Sequence, residues 1–271
     1  TQAVRALRRR PGFALVTIVA PALGIGANTA VYSLANWLMF RPVPGVTAPE
    51  TPVTIRQEIA DDGGFYTMSV SETKALGTLT GLAGLTGHNS IPLHVAIDGQ
   101  RAARLDAEIV TSNYFDVLGQ RLTLGRGFSA AEDDPGRASV VVISDRLWRE
   151  ALAAEPTAIG RSLTINGHPF VVVGVAAKGF RGPDRSGRAD LWVPIASARF
   201  TMAGSPDNVL TSRFGVFFSA LGRLAPGSTI AQVNEQAAVL RTTLMAATPG
   251  AKSKLESTSF IARPGLDVPS W

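Results

Sequence analysis

The chain has no cysteine among its 271 residues, and charged residues make up only 17% of it. The absence of cysteine excludes disulfide bonds and thiolate metal sites. It is compatible with an oxidising compartment but does not establish one, because many cytosolic chains also lack cysteine. Hydrophobic residues account for 45% of the chain, which is enough for a folded core and argues against intrinsic disorder.

A second absence is more specific: no Asp, Glu, Lys, Arg or His occurs from Phe13 to Phe40. A membrane helix needs about 20 predominantly apolar residues to cross the hydrocarbon core, and this segment is longer. We therefore predict a transmembrane helix over residues 13–40. A cleaved signal peptide is the alternative, but its apolar region is about 7 to 15 residues, roughly half of the length found here.

Acidic residues are missing from the first 41 positions, which hold five arginines. Four precede the apolar segment and one follows it: Arg5, Arg8, Arg9 and Arg10 before, and Arg41 after. The positive-inside rule then places residues 1–12, a basic amphipathic segment, at the cytoplasmic face of the membrane. The same rule places residues 41–271 on the extracytoplasmic side.

The charge balance of the remaining chain excludes a class of partners. Removing those five arginines from 26 Lys and Arg leaves 21 basic residues against 21 acidic ones for residues 42–271. Nucleic-acid binding requires basic residues clustered on one face, often with interleaved aromatic residues. No such cluster follows the apolar segment, so we expect no nucleic-acid partner.

Small residues within the apolar segment suggest helix packing. Its Gly-x-Gly motif has Thr29 where a dinucleotide fingerprint needs a third glycine, so it predicts no phosphate site. Ala22, Gly26 and Ala30 recur every four residues, which places them on one helical face where another span could approach closely. Asn28 could add a hydrogen bond to a neighbouring helix. We also expect a kink or a helix restart at Pro21, because proline removes one backbone hydrogen bond. The alternative is that glycine and alanine are simply common in such helices.

The chain opens with "RALRRRPGFALVTIVAPALGIGANTAVYSL" followed by "RPVPG". This opening resembles the start of the duplicated permeases related to the MacB/FtsX group of ABC transporters. The later motifs "VVVISDRLWRE", "IGRSLTINGHPFVVVGVAAKGFRG" and "DLWVPI" are similar to their extracytoplasmic core domain. Pro21 departs from the family pattern, in which an apolar or small residue is expected.

The resemblance implies an α+β fold with mixed β-sheets. One N-terminal transmembrane helix is followed by a two-lobed extracytoplasmic domain, residues 41–271, in which a strand-rich lobe of about residues 126–204 is inserted into a porter-like lobe. Family members continue into three further spans near the C-terminus, whereas this sequence stops at Trp271. We therefore expect a fragment or a truncated gene product.

The resemblance also implies a function and partners. The chain would be the N-terminal part of a permease subunit in a bacterial inner membrane. A separate cytoplasmic ABC ATPase subunit would hydrolyse ATP and drive export or extraction of a substrate outside the membrane. Other permease spans or a second permease half, together with membrane lipid, would be the remaining partners.

The extracytoplasmic residues read as strands and helices consistent with that fold. Strands are predicted at "AARLDAEIVT", "SVVVIS", "DLWVPI", "VFFSALGRL" and "LESTSFIAR", with two more around the Asn166-Gly167 turn. Short helices are predicted at "SNYFDVLG" and at "DRLWREALAAE", the latter capped by Ser144. Thr229 and Gln232 predict a capping box at the start of a longer helix reaching Ala246.

Catalytic and cofactor motifs are missing from the sequence. It contains no Gly-x-x-x-x-Gly-Lys-Ser/Thr, His-Glu-x-x-His or Gly-x-Ser-x-Gly motif. His88 and His94 lack a nearby carboxylate in sequence, and we expect them in a loop or at a strand edge. The acidic run Glu132, Asp133 and Asp134 is more typical of a solvated turn or cap than of a cation site. We therefore predict no catalytic, cofactor or metal site and a non-enzymatic protein.

Two other functional classes stay open at this stage. A membrane-anchored extracytoplasmic binding or chaperone domain would need neither an ATPase nor further spans. An exported enzyme would need a convergent catalytic site, which the motifs do not provide.

Overall fold

A computed structural model describes residues 21–33, 52–59, 64–134, 139–183, 188–202, 218–247 and 255–265. The chain divides into two compact units, Thr1–Pro42 and Val43–Trp271. In the first unit, residues 21–33 form a helix, α1. Within the described ranges, no helix is long and apolar enough to cross a membrane. The remainder of the predicted span, residues 13–20 and 34–40, lies outside these ranges, and the expected kink at Pro21 depends on residues there.

The described part of the second unit contains eleven strands and five α-helices, α2 to α6. The strands are β1 (Pro52–Ile59), β2 (Phe65–Tyr66), β3 (Leu82–Ile97), β4 (Ala103–Val110), β5 (Leu122–Gly125), β6 (Val140–Ile143), β7 (Ser162–Ile165), β8 (His168–Ala176), β9 (Leu191–Pro194), β10 (Ser219–Leu224) and β11 (Thr258–Pro264). The helices are α2 (Val70–Leu76), α3 (Tyr114–Val117), α4 (Asp145–Ala151), α5 (Ala198–Thr201) and α6 (Ile230–Ala247).

Two interlocked strand-helix-strand units form one half of the sheet. The strand order is β11-β1-β10-β3, and neighbouring strands are antiparallel. In the sheet, β10 therefore lies between the two strands of the β1-α2-β3 unit. Likewise, β1 lies between the two strands of the β10-α6-β11 unit. This is the ferredoxin-like arrangement. Leu76 of α2 and Val233 of α6 share one apolar core with Val53 and Phe260 of the strands. Burying these side chains holds both helices against the sheet.

The other half of the sheet is inserted between β3 and β10. The order continues from β3 as β4-β9-β6-β8-β5, with β7 paired to both β3 and β8. The pairs β4–β9 and β6–β8 are parallel, which makes the sheet mixed as predicted. Its core is built from branched and aromatic side chains, including Leu93, Ile109, Val141, Phe170 and Val193.

The strand β3 joins the two halves. Its first residues pair with β10 as far as His88, and its last residues pair with β7 from Val95 onward. β4 pairs with β3 from His88 to Val95. Pro92 lies in the interval between the β10 and β7 pairings, where β3 has no described neighbour on that side. Proline has no backbone N–H, so β3 has one ladder donor fewer at this position.

The turn and cap predictions are confirmed. Asn166 and Gly167 have φ values of 47° and 84°, as the turn between β7 and β8 requires. The Ser144 hydroxyl accepts a hydrogen bond from the Leu147 amide at 3.1 Å at the start of α4. Thr229 and Gln232 exchange backbone-to-side-chain hydrogen bonds of 2.9 and 3.3 Å ahead of α6.

Helix α4 is shorter than the sequence predicts. It ends at Ala151, whereas the motif reaches Glu155. Ala153 and Ala154 have positive φ values of 51° and 57°, which an α-helix cannot accommodate. The Trp148 indole donates to the Glu155 carbonyl oxygen at 2.8 Å. This contact turns the chain back, and the tertiary packing overrides the helix propensity of alanine.

A buried carboxylate connects three elements of the inserted half. Glu108 of β4 is only 2% exposed and accepts hydrogen bonds from the Tyr114 hydroxyl at 2.5 Å and the Trp192 indole at 2.9 Å. Burial, and then the charge of Glu108, raise the pKa of Tyr114 well above its usual value, so the phenol remains a donor. The Phe180 ring stacks on Trp192 with a centroid distance of 5.2 Å. We call Glu108, Tyr114, Phe180 and Trp192 the Glu108 cluster.

The Glu108 cluster generates a stability prediction. We expect Tyr114→Phe to lower the free energy of unfolding by about 1–3 kcal/mol, because the buried carboxylate loses a donor that water cannot replace. Tyr66→Phe is the matched control, since Tyr66 is 43% exposed. Denaturant unfolding of both variants followed by tryptophan fluorescence measures the difference. Equal stabilities of the two variants would contradict the assigned role of Glu108.

Candidate functional site

Helix α1 carries the residues predicted to contact another span. Ala22, Gly26, Asn28 and Ala30 all lie on it, and all are exposed. Apart from the helix itself, no described atom lies within 4 Å of where a Cβ on Gly26 would be. The large apolar side chains of α1 are also exposed, with Leu23 at 67% and Ile25 at 69%. The contact with another span stays a prediction.

The residues predicted to set the topology, Arg5, Arg8, Arg9 and Arg10, lie outside the described ranges. The orientation of the N-terminus therefore also stays a prediction.

The acidic run is occupied by structural contacts. Arg126 donates to both carboxylate oxygens of Glu132, at 3.0 and 2.7 Å, and the Ser129 amide donates at 2.7 Å. Burial disfavours ionisation of Glu132, but these hydrogen bonds outweigh it and lower its pKa. Asp133 accepts hydrogen bonds from the amide and hydroxyl of Ser112, and its burial raises its pKa. Glu132 thus caps the turn, as the sequence interpretation allows, but it is buried and not solvated, while Asp133 connects the turn to Ser112.

The two histidines do not converge on a site. Both lie on β3, an interior strand, and not in a loop or at a sheet edge as expected. The long-range pairings with β4, β7 and β10 place them there. Six residues of extended strand separate His88 from His94, which is about 20 Å. Among the described residues, no group of three His, Asp or Glu side chains could hold a metal ion.

The structure contains an open cleft with a volume of about 320 Å³, which no sequence motif predicts. Three segments form its walls: the start of α4, the turn after β8 and the residues leading into β9. The Ser144 amide donates to the Asp190 carbonyl oxygen at 2.8 Å, and the Ala189 amide donates to the Arg181 carbonyl oxygen at 3.2 Å. Phe180 also lines the cleft and anchors the turn on the Glu108 cluster. We call this feature the basic cleft.

Charged side chains dominate the basic cleft. Arg146 pairs with the buried Asp190 and, at 2.8 Å, with Glu150. Burial raises the pKa of Asp190, and the hydrogen bond from Arg146 opposes this effect. Arg149 pairs with Asp145 at 2.9 Å. The remaining cations of the lining are exposed: Lys178, Arg181 and Arg188.

The sequence signal for the basic cleft was present but weak. The segment "AKGFRGPDRSGRAD" carries four basic residues and two acidic ones, and it reads as a solvated connection because it is rich in Gly and Pro. Only the folded chain brings it against α4. Arg146 and Asp190 are 44 residues apart in sequence, so no local pattern reports their pairing.

Comparison with known proteins gives a consistent result. A family model described as a MacB-like periplasmic core domain matches residues 14–240. The macrolide export ATP-binding/permease protein MacB of Aggregatibacter actinomycetemcomitans is 21% identical over 198 residues, which cover 70% of this chain and 30% of that protein. The chain thus spans less than a third of the length of this relative.

Two solved structures share the fold. The periplasmic region of MacB from Actinobacillus actinomycetemcomitans has a TM-score of 0.58 at 16% identity, covering 85% of this chain and 94% of that structure. The extracellular domain of the noncanonic ABC-type transporter YknZ from Gram-positive bacteria has a TM-score of 0.53 at 14% identity, covering 78% of this chain and 99% of that structure.

The family match begins within the charge-free N-terminal segment and extends through most of the mixed sheet. It covers far more than half of the chain, and the two structural likenesses agree with it in fold. The chain therefore belongs to the family of MacB-like periplasmic core domains.

Proposed function

We propose that this chain is the N-terminal part of an ABC transporter permease subunit. It does not catalyse a reaction itself, and it couples a separate cytoplasmic ATPase to export or extraction of a substrate outside the membrane. The observation that carries this proposal is the family match over residues 14–240. This single match covers both the apolar segment and most of the sheet domain. A curated relative is named as a macrolide export ATP-binding/permease protein.

The anchoring part of the proposal rests on charge and exposure. Residues 13–40 form the membrane span, and residues 1–12 lie at the cytoplasmic surface with Arg5, Arg8, Arg9 and Arg10 near the lipid headgroups. Exposed Leu23, Ile25 and Val31 on α1 suit a lipid environment, since in water such a surface would be costly. The sheet domain then lies outside the membrane, and other permease spans contact the face of Ala22, Gly26 and Ala30.

The mixed sheet provides a route for motion in this proposal. β1 is the first described strand after the proposed membrane span in sequence, and it pairs with β10 and β11. β10 pairs with β3, and β3 extends through the inserted half. A displacement of the span would therefore reach the inserted lobe, proposed at about residues 126–204, through hydrogen-bonded strands. The same arrangement without an ATPase would serve a membrane-anchored binding or chaperone domain.

The topology prediction uses the absence of native cysteine. We expect Ala238→Cys, on the exposed face of α6, to react with a membrane-impermeant maleimide in intact spheroplasts and to remain in the membrane fraction. The neighbouring Ala237→Cys is the matched control, because Ala237 is 1% exposed and should react only after unfolding. Labelling of Ala238→Cys only after lysis would place the domain in the cytoplasm and overturn the proposal.

The assembly prediction concerns α1. Gly26→Leu should reduce co-purification of the ATPase and other permease spans about fivefold or more, because a large side chain prevents close helix approach. Ala27→Leu, about 100° around the helix, should have a much smaller effect. The Ala238→Cys and Ala237→Cys labelling patterns should be unchanged in either background, which shows that the outer domain remains folded. Undiminished co-purification of Gly26→Leu would refute the contact.

A further inference from the structure

The basic cleft has more cations than its own acids neutralise. Of the residues that the structure describes, five basic and three acidic ones line it: Arg146, Arg149, Lys178, Arg181 and Arg188 against Asp145, Glu150 and Asp190. Each acid already has a cation, because Asp145 pairs with Arg149, while Glu150 and Asp190 pair with Arg146.

The other three cations have no such partner within the described ranges. No described acidic side chain forms an ion pair with Lys178, Arg181 or Arg188. Residues 42–271 have equal numbers of acidic and basic residues, so this positive charge is a local concentration and not a property of the whole surface. A positively charged concavity raises the local concentration of anions.

The walls of the basic cleft are held in place before any ligand arrives. The start of α4 is hydrogen-bonded to the backbone at Asp190, and the residue before Asp190 is hydrogen-bonded to the backbone at Arg181. The Arg146–Asp190 ion pair crosses the same junction. Phe180, which precedes Arg181, is 2% exposed and stacked on Trp192. A preformed frame lowers the ordering cost of binding.

We propose that the basic cleft is a binding site for an oxyanion group, a phosphate or a carboxylate, carried by a ligand on the extracytoplasmic side. Arg181 and Arg188 supply planar guanidinium groups that match such oxygens in pairs, and Lys178 supplies a compact point charge. The volume of about 320 Å³ accommodates an anionic headgroup or a short acidic moiety. This site goes beyond the proposed coupling function, since binding there requires neither the ATPase nor other spans.

The test is calorimetric titration of the 271-residue chain in non-ionic detergent with inorganic phosphate, succinate and glycerol 1-phosphate. Ionic strength is held constant with sodium chloride, so that general screening does not change. We expect saturable binding of at least one of these anions with a dissociation constant in the millimolar range or tighter. A preference for glycerol 1-phosphate indicates a lipid headgroup, a preference for inorganic phosphate a free phosphate, and a preference for succinate a carboxylate ligand.

Three variants assign the binding to the basic cleft. The combined Lys178→Ala, Arg181→Ala and Arg188→Ala variant should weaken binding about tenfold or more, because charge-assisted hydrogen bonds are lost. The charge-matched control, Arg101→Ala with Arg104→Ala and Arg121→Ala, removes exposed cations outside the cleft and should change the affinity less than about twofold if binding is local.

Glu150→Gln should tighten anion binding instead of weakening it. It therefore tests the proposal even if the triple variant does not fold. Its carboxylate is 61% exposed and competes for Arg146, so its removal should tighten binding about twofold. Absence of saturable binding of all three anions would overturn the proposal. So would an equal loss of affinity in the control, or a Glu150→Gln variant that binds no more tightly than the parent chain.

Discussion

The backbone pairing of β3 is the constraint on which the rest of the sheet domain depends. This strand runs for 16 residues and hydrogen-bonds to β10, β4 and β7 in turn. It therefore belongs both to the ferredoxin-like half and to the inserted half. Apolar contacts also join the halves, because Val70 of α2 belongs to the core of the inserted half and Leu221 of β10 shares a cluster with Trp192. The register between the halves follows from the pairing of β3 with β10, β4 and β7.

Sequence reasoning recovered the elements whose signals are local. Three such features are the Ser144 cap, the Asn166-Gly167 turn and the Thr229–Gln232 capping box. The interacting residues of each lie within a few positions of one another, so the sequence alone shows both partners. It did not recover β3, because Gly84, Gly87 and Pro92 are typical of loops. The structure explains these residues by tertiary packing. A Cβ on Gly87 would lie 2.6 Å from the Phe218 ring, so only glycine permits that neighbour.

The two candidate sites also differ in whether they can be predicted from local sequence. The face of Ala22, Gly26 and Ala30 follows from helical periodicity alone, which is why it could be proposed from the sequence. The basic cleft could not, because one wall comes from residues 144–150 and the others come from residues 178–181 and 188–190, and its ion pairs neutralise some charges but not others. Glu108 is a similar case: it is the buried one of two carboxylates in β4, and its partners Tyr114 and Trp192 are identified only by folding.

Pro92 has a mechanical consequence. Between the residues paired with β10 and those paired with β7, β3 is supported on one side by β4, with no described strand on the other. Proline has no backbone N–H, so at this position β3 can donate no hydrogen bond to a strand on the side away from β4. Any strand on that side would lack one ladder hydrogen bond, so the proline limits how strongly the middle of β3 can be stiffened from there.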